Sequence, residues 1–278
     1  MRTLHIYGDS YASNHEVTDL VNDYNGAQCW TNLIADNLKM QQCNHARAGT
    51  STSYSLLKLK EHIDDILPDD VVIFCVSSFE RLTFIHQHEF PDTAATLTYE
   101  RLPKSIAHMR RHVWYKENAA HLEWFARNTD INNQKLIHEG YMHIIRNFAE
   151  CNPDVTVLLM SLDHYNVKFP MSIPRNLLIP AVTLYSISAA ETKISYREFT
   201  KYTGYDPRIN HYSINNSKTF ANLVTEAIQT NSVENFTLNK FESNIYTRSI
   251  DTVEEYDRHI VAGNLFDRVS TRTRLKKL

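Results

Sequence analysis

The six residues from Val71 to Val76 read Val-Val-Ile-Phe-Cys-Val, an apolar run without interruption. A strand with one face in water alternates apolar and polar residues, whereas a strand covered on both faces reads as a continuous apolar run. The β-branched side chains of valine and isoleucine favour a strand over a helix in so short a segment. The run therefore predicts a strand inside a parallel sheet that helices cover on both sides.

Further apolar runs alternate with helical patterns along the chain. The other predicted strands are residues 3–7, 42–48, 155–160 and 177–184. The predicted helices lie within residues 30–38, 53–67, 133–150 and 220–228, where apolar residues recur at helical spacing. Such alternation is typical of an α/β fold with a parallel sheet. We therefore expect a single α/β core with helices on both faces of its sheet.

The length of 278 residues suits one such core with additions. Between residues 79 and 129 the pattern loosens into mixed histidine, arginine, aromatic and proline residues, which indicates an insertion. After Asn231 the sequence becomes polar and irregular. We predict a core domain over residues 1–230 and a C-terminal appendage or tail over residues 231–278 that the core does not need.

Composition excludes several classes of partner. The formal net charge of -3 argues against general nucleic-acid binding, which requires a basic excess on one face. No run approaches the roughly 18 apolar residues of a membrane span, and the opening residues resemble a strand rather than a signal peptide. The four cysteines are widely spaced without a C-x-x-C pair, which indicates buried free thiols. We expect a protein made in the reducing cytoplasm, with neither nucleic acid nor membrane as its partner.

Gly8-Asp9-Ser10 follows the first predicted strand directly. In open α/β sheets, functional loops lie at the carboxyl ends of strands. A serine there presents its hydroxyl at the sheet edge, and its backbone N–H can point toward a bound carbonyl. The alternative is an ordinary turn followed by a helix cap, which the same tripeptide also favours.

A second candidate segment, residues 206–213, lies just before the last predicted helix. A nucleophilic serine needs a base within hydrogen-bond reach and a group that fixes the tautomer of that base. His211 and Asp206 suit these two roles. The alternative is a turn opened by Asp206 and Pro207, with Ser213 or Asn215 as a helix cap, which explains every residue except His211.

The fourteen histidines raise the question of a metal site. His86 and His88 form a tight pair, but no acidic or cysteine ligands repeat around them at the spacing of a metal site. We therefore expect no metal and no cofactor. A metal-dependent hydrolase built on this pair is the alternative.

Taken in order, these segments resemble the SGNH-hydrolase family, also called GDSL-like esterases. Gly8-Asp9-Ser10 matches the first block of the family, Gly49 follows the second predicted strand as its oxyanion-hole glycine does, residues 71–81 match the third block, and His211 lies in the last. The resemblance implies a three-layer, flavodoxin-like parallel sheet and a serine esterase. Ser10 is then the nucleophile and His211 the base.

The resemblance also implies an oxyanion hole. Its donors are the backbone N–H groups of Ser10 and Gly49, together with a hydroxyl from Ser78 or Ser77. The family usually has an asparagine in this third block, and a serine hydroxyl is a rotating donor that is less well aimed than an amide.

The last block departs from the family as well, because Arg208 occupies the position three before the histidine where an aspartate is usual. Asp206 lies five residues before His211, and Asn210 lies one before. Three orienting groups for His211 are therefore open: Asp206 brought close by a curled loop, Asn210, or a backbone carbonyl.

The pattern Ser-Ser-x-x-Arg after the third strand, and the pattern Asp-x-Arg-x-Asn-His-x-Ser before the last helix, are similar to a subgroup of the family found in tailed bacteriophages, especially those of cyanobacteria. This implies a virion-associated deacetylase that removes O-acetyl groups from host surface glycan, with other virion proteins as partners. The residues expected to contact the saccharide are Asp9, Arg81 and Arg208. The alternatives are ion pairs for the arginines and, for the whole protein, a structural or glycan-binding virion protein without useful catalysis.

Overall fold

The computed structural model describes residues 2–14, 29–47, 50–79, 131–162, 172–191 and 209–245. These residues form a five-stranded, wholly parallel sheet in the order β2-β1-β3-β4-β5. The strands are β1 Thr3–Tyr7, β2 Gln41–Asn44, β3 Val71–Val76, β4 Thr156–Ser161 and β5 Leu177–Leu178. This strand order is one of the common doubly wound arrangements of α/β proteins. The predicted α/β class with a parallel sheet is confirmed.

The central strand is the one that the sequence marks most clearly. All six residues of β3 are buried, because β1 and β4 flank it and helices cover both of its faces. The register pairs Tyr7 with Phe74 and Ser161 with Val76, so the three strands end close to one another. The loops that follow them therefore meet at one edge of the sheet.

Five α-helices lie in the described parts of the chain. They are α1 Trp30–Leu38, α2 Thr52–His62, α3 Ile131–Cys151, α4 Leu184–Ala190 and α5 Ile214–Thr230. Helices α1 and α5 pack together on one face of the sheet, and α2 and α3 cover the other. The sheet is thus flanked by helices on both sides, as predicted. No helix in these ranges is long and apolar enough to cross a membrane.

Two strands are shorter than the sequence pattern suggests. β2 ends at Asn44 rather than at residue 48, and it lies at the edge of the sheet, where polar residues are tolerated. The apolar run 177–184 forms a strand over two residues only. Pro180 lacks the N–H that a ladder requires, and Thr183 then begins α4 through a capping box with Ser186.

The segment after α5 does not behave as a separate appendage. Phe236 and Phe241 are buried in the core on the α1/α5 face, where the Phe236 ring meets the edge of the Phe220 ring. The main-chain groups of Glu242 also exchange two hydrogen bonds with the side chain of Asn216. The predicted domain boundary near 231 is therefore wrong for residues 232–245. The segment looks polar in sequence because only two of its residues, Phe236 and Phe241, are large and deeply buried. Residues 246–278, and the predicted insertion apart from Phe79, lie outside the described residues.

Gly8 is fixed by the close approach of β1 to β3. A Cβ atom at this position would lie 2.7 Å from the Cβ of Cys75 and 3.1 Å from its carbonyl oxygen. Contact with backbone atoms of a central strand leaves no simple way to make room. Glycine at position 8 therefore allows the loop after β1 to run close to β3. This path places Ser10 at the edge of the sheet.

Candidate active site

Ser10 and His211 meet at the edge where the strands end, although 201 residues separate them in the chain. The Oγ atom of Ser10 lies 2.7 Å from Nε2 of His211, within hydrogen-bond distance. Ser10 is in the first loop, residues 8–14, and His211 is in the histidine loop, residues 209–213, just before α5. The structure thus brings together two residues that the sequence assigns to nucleophile and base.

The first loop is a tight turn built on Asp9. Its carbonyl oxygen accepts from the N–H groups of Ala12 and Ser13, and its Oδ1 accepts from the N–H of Tyr11 at 3.0 Å. The turn that was the alternative explanation of Gly-Asp-Ser is therefore present. Asp9 closes it, and the hydroxyl of Ser10 is directed to His211 instead of to a cap.

Asp9 is not placed to contact a saccharide. Only 1% of its surface is exposed, and Oδ2 accepts a hydrogen bond from the hydroxyl of Ser77 at 3.0 Å. The prediction of Asp9 as a substrate-binding residue is therefore wrong. The physical reason is that both carboxylate oxygens accept hydrogen bonds in the interior: Oδ1 within the first loop, and Oδ2 from Ser77 in the loop after β3.

Ser77 is likewise turned inward. Its Oγ lies 3.0 Å from the Asp9 carboxylate and 3.0 Å from the carbonyl oxygen of Thr50. A hydroxyl has a single proton to donate, and both neighbours are acceptors. Ser77 therefore does not serve as an oxyanion donor. Ser78, the next residue, is half-buried and is the remaining hydroxyl candidate.

Thr50 completes the connection between the loops. Its Oγ1 lies 3.2 Å from the carbonyl oxygen of Gly8 and 2.7 Å from that of Arg47. The N–H of Arg47 also donates to the carbonyl of Gly8 at 3.0 Å. Loops after β1, β2 and β3 are therefore joined by hydrogen bonds in the interior, which holds the floor of the site in place.

The imidazole of His211 is packed against the ring of Tyr11, with ring centroids 4.3 Å apart and planes inclined at 35°. Tyr11 is itself fixed, since its carbonyl accepts from the indole N–H of the buried Trp30. Ser213, two residues after the histidine, caps α5 and donates its N–H to the fully buried Glu191. The position of the imidazole is therefore restricted in two ways: its ring packs against Tyr11, and the main chain that follows it is held by Glu191.

Tyr212 lies beside the pair but is a core residue. Burial raises the pKa of its phenol well above the usual value, and its hydroxyl donates to the carbonyl of Leu184. The Tyr212 hydroxyl therefore serves the core, where its proton is bonded to the Leu184 carbonyl.

Asn210 contributes in a way that the sequence did not indicate. Its Nδ2 donates to the carbonyl oxygens of Ser10 at 3.0 Å and Ser13 at 2.9 Å. Its Oδ1 is buried without a hydrogen-bond partner. The side chain of Asn210 therefore joins the two loops and does not orient the His211 ring, which removes one of the three orienting groups considered.

The other predicted site residues lie outside the described residues. They are Gly49, Arg81, Asp206 and Arg208, and the histidine pair His86 and His88 is outside them too. Their predicted roles stay predictions. The bridging role of Asn210 was not predicted. The one local signal is that asparagine adopts left-handed backbone conformations more readily than most residues.

The fold and the site together define an α/β protein with a serine and a histidine in hydrogen-bond contact at the carboxyl edge of its parallel sheet. In comparisons with known proteins, no family model matches the chain and no curated protein matches it.

Proposed function

We propose that the protein is a serine esterase of the SGNH-hydrolase type. The observation that supports this most directly is the 2.7 Å contact between Ser10 Oγ and His211 Nε2 at the edge of the sheet. A serine and histidine in such contact are the minimum for nucleophilic acyl transfer. The strand order and the position of Ser10 directly after β1 agree with the family resemblance in the sequence.

In the proposed reaction, Ser10 Oγ attacks the ester carbonyl while Nε2 of His211 takes the hydroxyl proton. The tetrahedral intermediate then collapses to an acyl-serine as His211 returns that proton to the departing alcohol oxygen. His211 then takes a proton from a water molecule as that water attacks the acyl-serine. When the second tetrahedral intermediate collapses, the carboxylic acid leaves and His211 returns the proton to Ser10 Oγ. For the first step Nε2 must be unprotonated, so the neutral imidazole has its proton on Nδ1.

The developing oxyanion requires donors on the carbonyl side. We assign this role to the backbone N–H groups of Ser10 and Gly49 and to the hydroxyl of Ser78. Loss of one well-aimed donor costs about 10²- to 10³-fold in rate. With a rotating hydroxyl in place of an amide, we expect slow turnover compared with a fully equipped hydrolase.

The proposed substrate is an O-acetylated saccharide on the host surface, with the protein associated with a phage virion. This assignment rests on the sequence resemblance in the segments 77–81 and 206–213. Arg81 and Arg208 would contact anionic sugar, and Asp206 would orient His211.

A binding protein that retains the fold without useful catalysis is the second candidate. The inward orientation of Ser77 favours it, because the third block then offers fewer donors than a typical esterase. The 2.7 Å contact between Ser10 and His211 favours the enzyme, since a protein that only binds has no need of it.

The deciding experiment is hydrolysis of p-nitrophenyl acetate by the purified protein, with Ser10→Ala as its partner variant. Labelling with a fluorophosphonate probe, followed by peptide mapping, would identify the reactive serine. We expect hydrolysis and probe attachment at Ser10, both lost in Ser10→Ala. No hydrolysis and no labelling of the wild-type protein would favour the binding protein instead.

A further inference from the structure

We infer that Asn210 is a positioning residue that sets the Ser10–His211 distance before substrate binds. The inference rests on the proposed function and adds a residue to it. Asn210 and His211 are adjacent, and both contact Ser10: Asn210 Nδ2 lies 3.0 Å from its carbonyl oxygen and His211 Nε2 lies 2.7 Å from its hydroxyl. Two neighbouring residues thus fix the main chain and the side chain of a single serine.

The two N–H groups of the Asn210 amide are both used. One donates to Ser10 and the other to Ser13, so the amide spans the first loop instead of touching it at one point. The side chain is 5% exposed, which keeps water from competing for these bonds. A carboxylate or an aliphatic side chain of similar size could not make either bond, because neither has a proton to donate.

The backbone of the histidine loop shows why this bridge is needed. Asn210 and His211 both have a positive φ, 48° and 63°. Left-handed conformations are costly for residues other than glycine, and they persist where surrounding structure holds them. Asparagine and histidine are among the residues other than glycine that adopt such a conformation most often, but two in succession still need support. The Asn210 bridge therefore holds a turn that directs the imidazole toward Ser10.

A bridge of this kind has a predictable catalytic consequence. Misplacement of a reacting group by about 1 Å can cost about 10²-fold in rate. Asn210 does not lie on the hydroxyl side of Ser10, so its loss should affect the chemical step more than substrate binding. The expected signature is a lower kcat with an unchanged KM.

The test compares two Asn→Gly variants. Asn210→Gly keeps a backbone that accepts a positive φ but removes both donors. Asn231→Gly is the matched control, because Asn231 also has a positive φ, 52°, and donates its amide to one carbonyl, that of Arg175, yet it lies exposed at the end of α5. Glycine is favoured at such a helix end. Asn210→Asp, which preserves side-chain volume, is the second test variant if Asn210→Gly does not fold.

The measurements are the rate of fluorophosphonate attachment to Ser10, the separate kcat and KM values for p-nitrophenyl acetate, and the melting temperature. We expect Asn210→Gly to lower the labelling rate and kcat by about 10- to 100-fold with KM within about twofold, whereas Asn231→Gly changes neither. A variant that melts earlier but labels at the wild-type rate well below its melting temperature would overturn the positioning role alone. A wild-type protein that is not labelled at Ser10 would overturn the proposed function and this inference together.

Discussion

Ser77 and Asp9 are joined by a buried hydrogen bond of 3.0 Å, although they follow different strands of the sheet. Ser77 also lies 3.0 Å from the carbonyl oxygen of Thr50, so a single hydroxyl connects three loops. The bond explains why Asp9 is unavailable to a ligand. It also explains why the two neighbouring serines have different roles: Ser77 connects loops in the interior, and Ser78 is the proposed oxyanion donor.

Replacement of these two serines should separate stability from activity. Ser77→Ala leaves buried acceptors of Asp9 and Thr50 without their donor, which should lower the free energy of unfolding by about 1–3 kcal/mol. Ser78→Ala should lower kcat for p-nitrophenyl acetate, because the Ser78 hydroxyl is the proposed oxyanion donor. Urea titration and steady-state kinetics on both variants measure this. If Ser78→Ala has wild-type kcat, Ser78 is not an oxyanion donor.

Ser10→Ala and His211→Ala should each lower esterase activity by about 10⁴-fold or more, because residues that act as one unit fail together. Both variants should fold, since neither side chain is part of the apolar core. Ser55→Ala is a suitable control, as Ser55 is a buried serine of α2 whose hydroxyl has no hydrogen-bond partner. Activity that survives in folded Ser10→Ala would show that another residue is the nucleophile.

Acid should destabilise the fold through a group of histidines beside β1. Burial lowers the pKa of His45 to about 4, and burial also lowers that of His5 despite Asp70 at 3.4 Å, whose charge acts in the opposite direction. Between the ordinary pKa of 6.5 and 4, the unfolded chain binds protons that folded His45 does not. The free energy of unfolding should therefore decrease as the pH is lowered through this range.

Urea titrations at several pH values between 7.5 and 4.5 would measure this dependence. His45→Gln removes one titrating ring, so its stability should vary less with pH than that of the wild-type protein. The ring contacts of His45 with Tyr7 and His62 are lost as well, which lowers stability at every pH. The informative quantity is therefore the slope of the free energy of unfolding against pH. Equal slopes for the two proteins would exclude His45 as a source of the acid sensitivity.

The segment after α5 should be needed for stability at particular residues. Phe236→Ala should lower the free energy of unfolding by about 3–5 kcal/mol, because the Phe236 side chain is 3% exposed in the core. Leu238→Ala, two residues away, is the control: Leu238 is 40% exposed, and its loss should cost about 0.5 kcal/mol or less. Similar losses for the two variants, measured by urea unfolding, would contradict the assignment of this segment to the core.

Asp206 remains the predicted orienting group for His211. Asp206→Asn should retain the fold and lose much of the rate, because an amide can impose the wrong tautomer and cannot stabilise the imidazolium. If Asp206 only opens the turn before Pro207, the variant should instead lose about 1 kcal/mol of stability and keep its turnover per folded molecule. Turnover and melting temperature distinguish the two outcomes.

The sequence predicts the sheet well where burial dictates residue type. β1, β3 and β4 are apolar because both faces are covered, and their common direction places the loops after them at one edge. That reasoning predicts that Ser10 lies at this edge, and the resemblance to a known family then makes it the predicted nucleophile. The edge strand β2 reads Gln-Gln-Cys-Asn, and its extent could not be predicted because its partial exposure removes the apolar signal.

The details of the site depend on contacts between distant loops, which leave little trace in the local sequence. Two consecutive serines follow β3, and which of them faces the interior depends on where the strand geometry ends. Likewise, the pattern around Asn210 does not reveal what its amide contacts, because its two acceptors lie about 200 positions earlier in the chain. Contacts between two such loops can be predicted only when it is known that the loops lie close together in the fold.

The burial of Phe236 and Phe241 also affects when the site can form during translation. The ribosome delivers Ser10 long before His211, and α5, which fixes the histidine loop, gains its last core contacts only when residues 236–244 have been added. We therefore expect chains that end before this segment to hold Ser10 and His211 together less stably than the full chain does. Under the proposed function, the producing cell would be exposed to esterase activity mainly from chains whose synthesis has passed this segment.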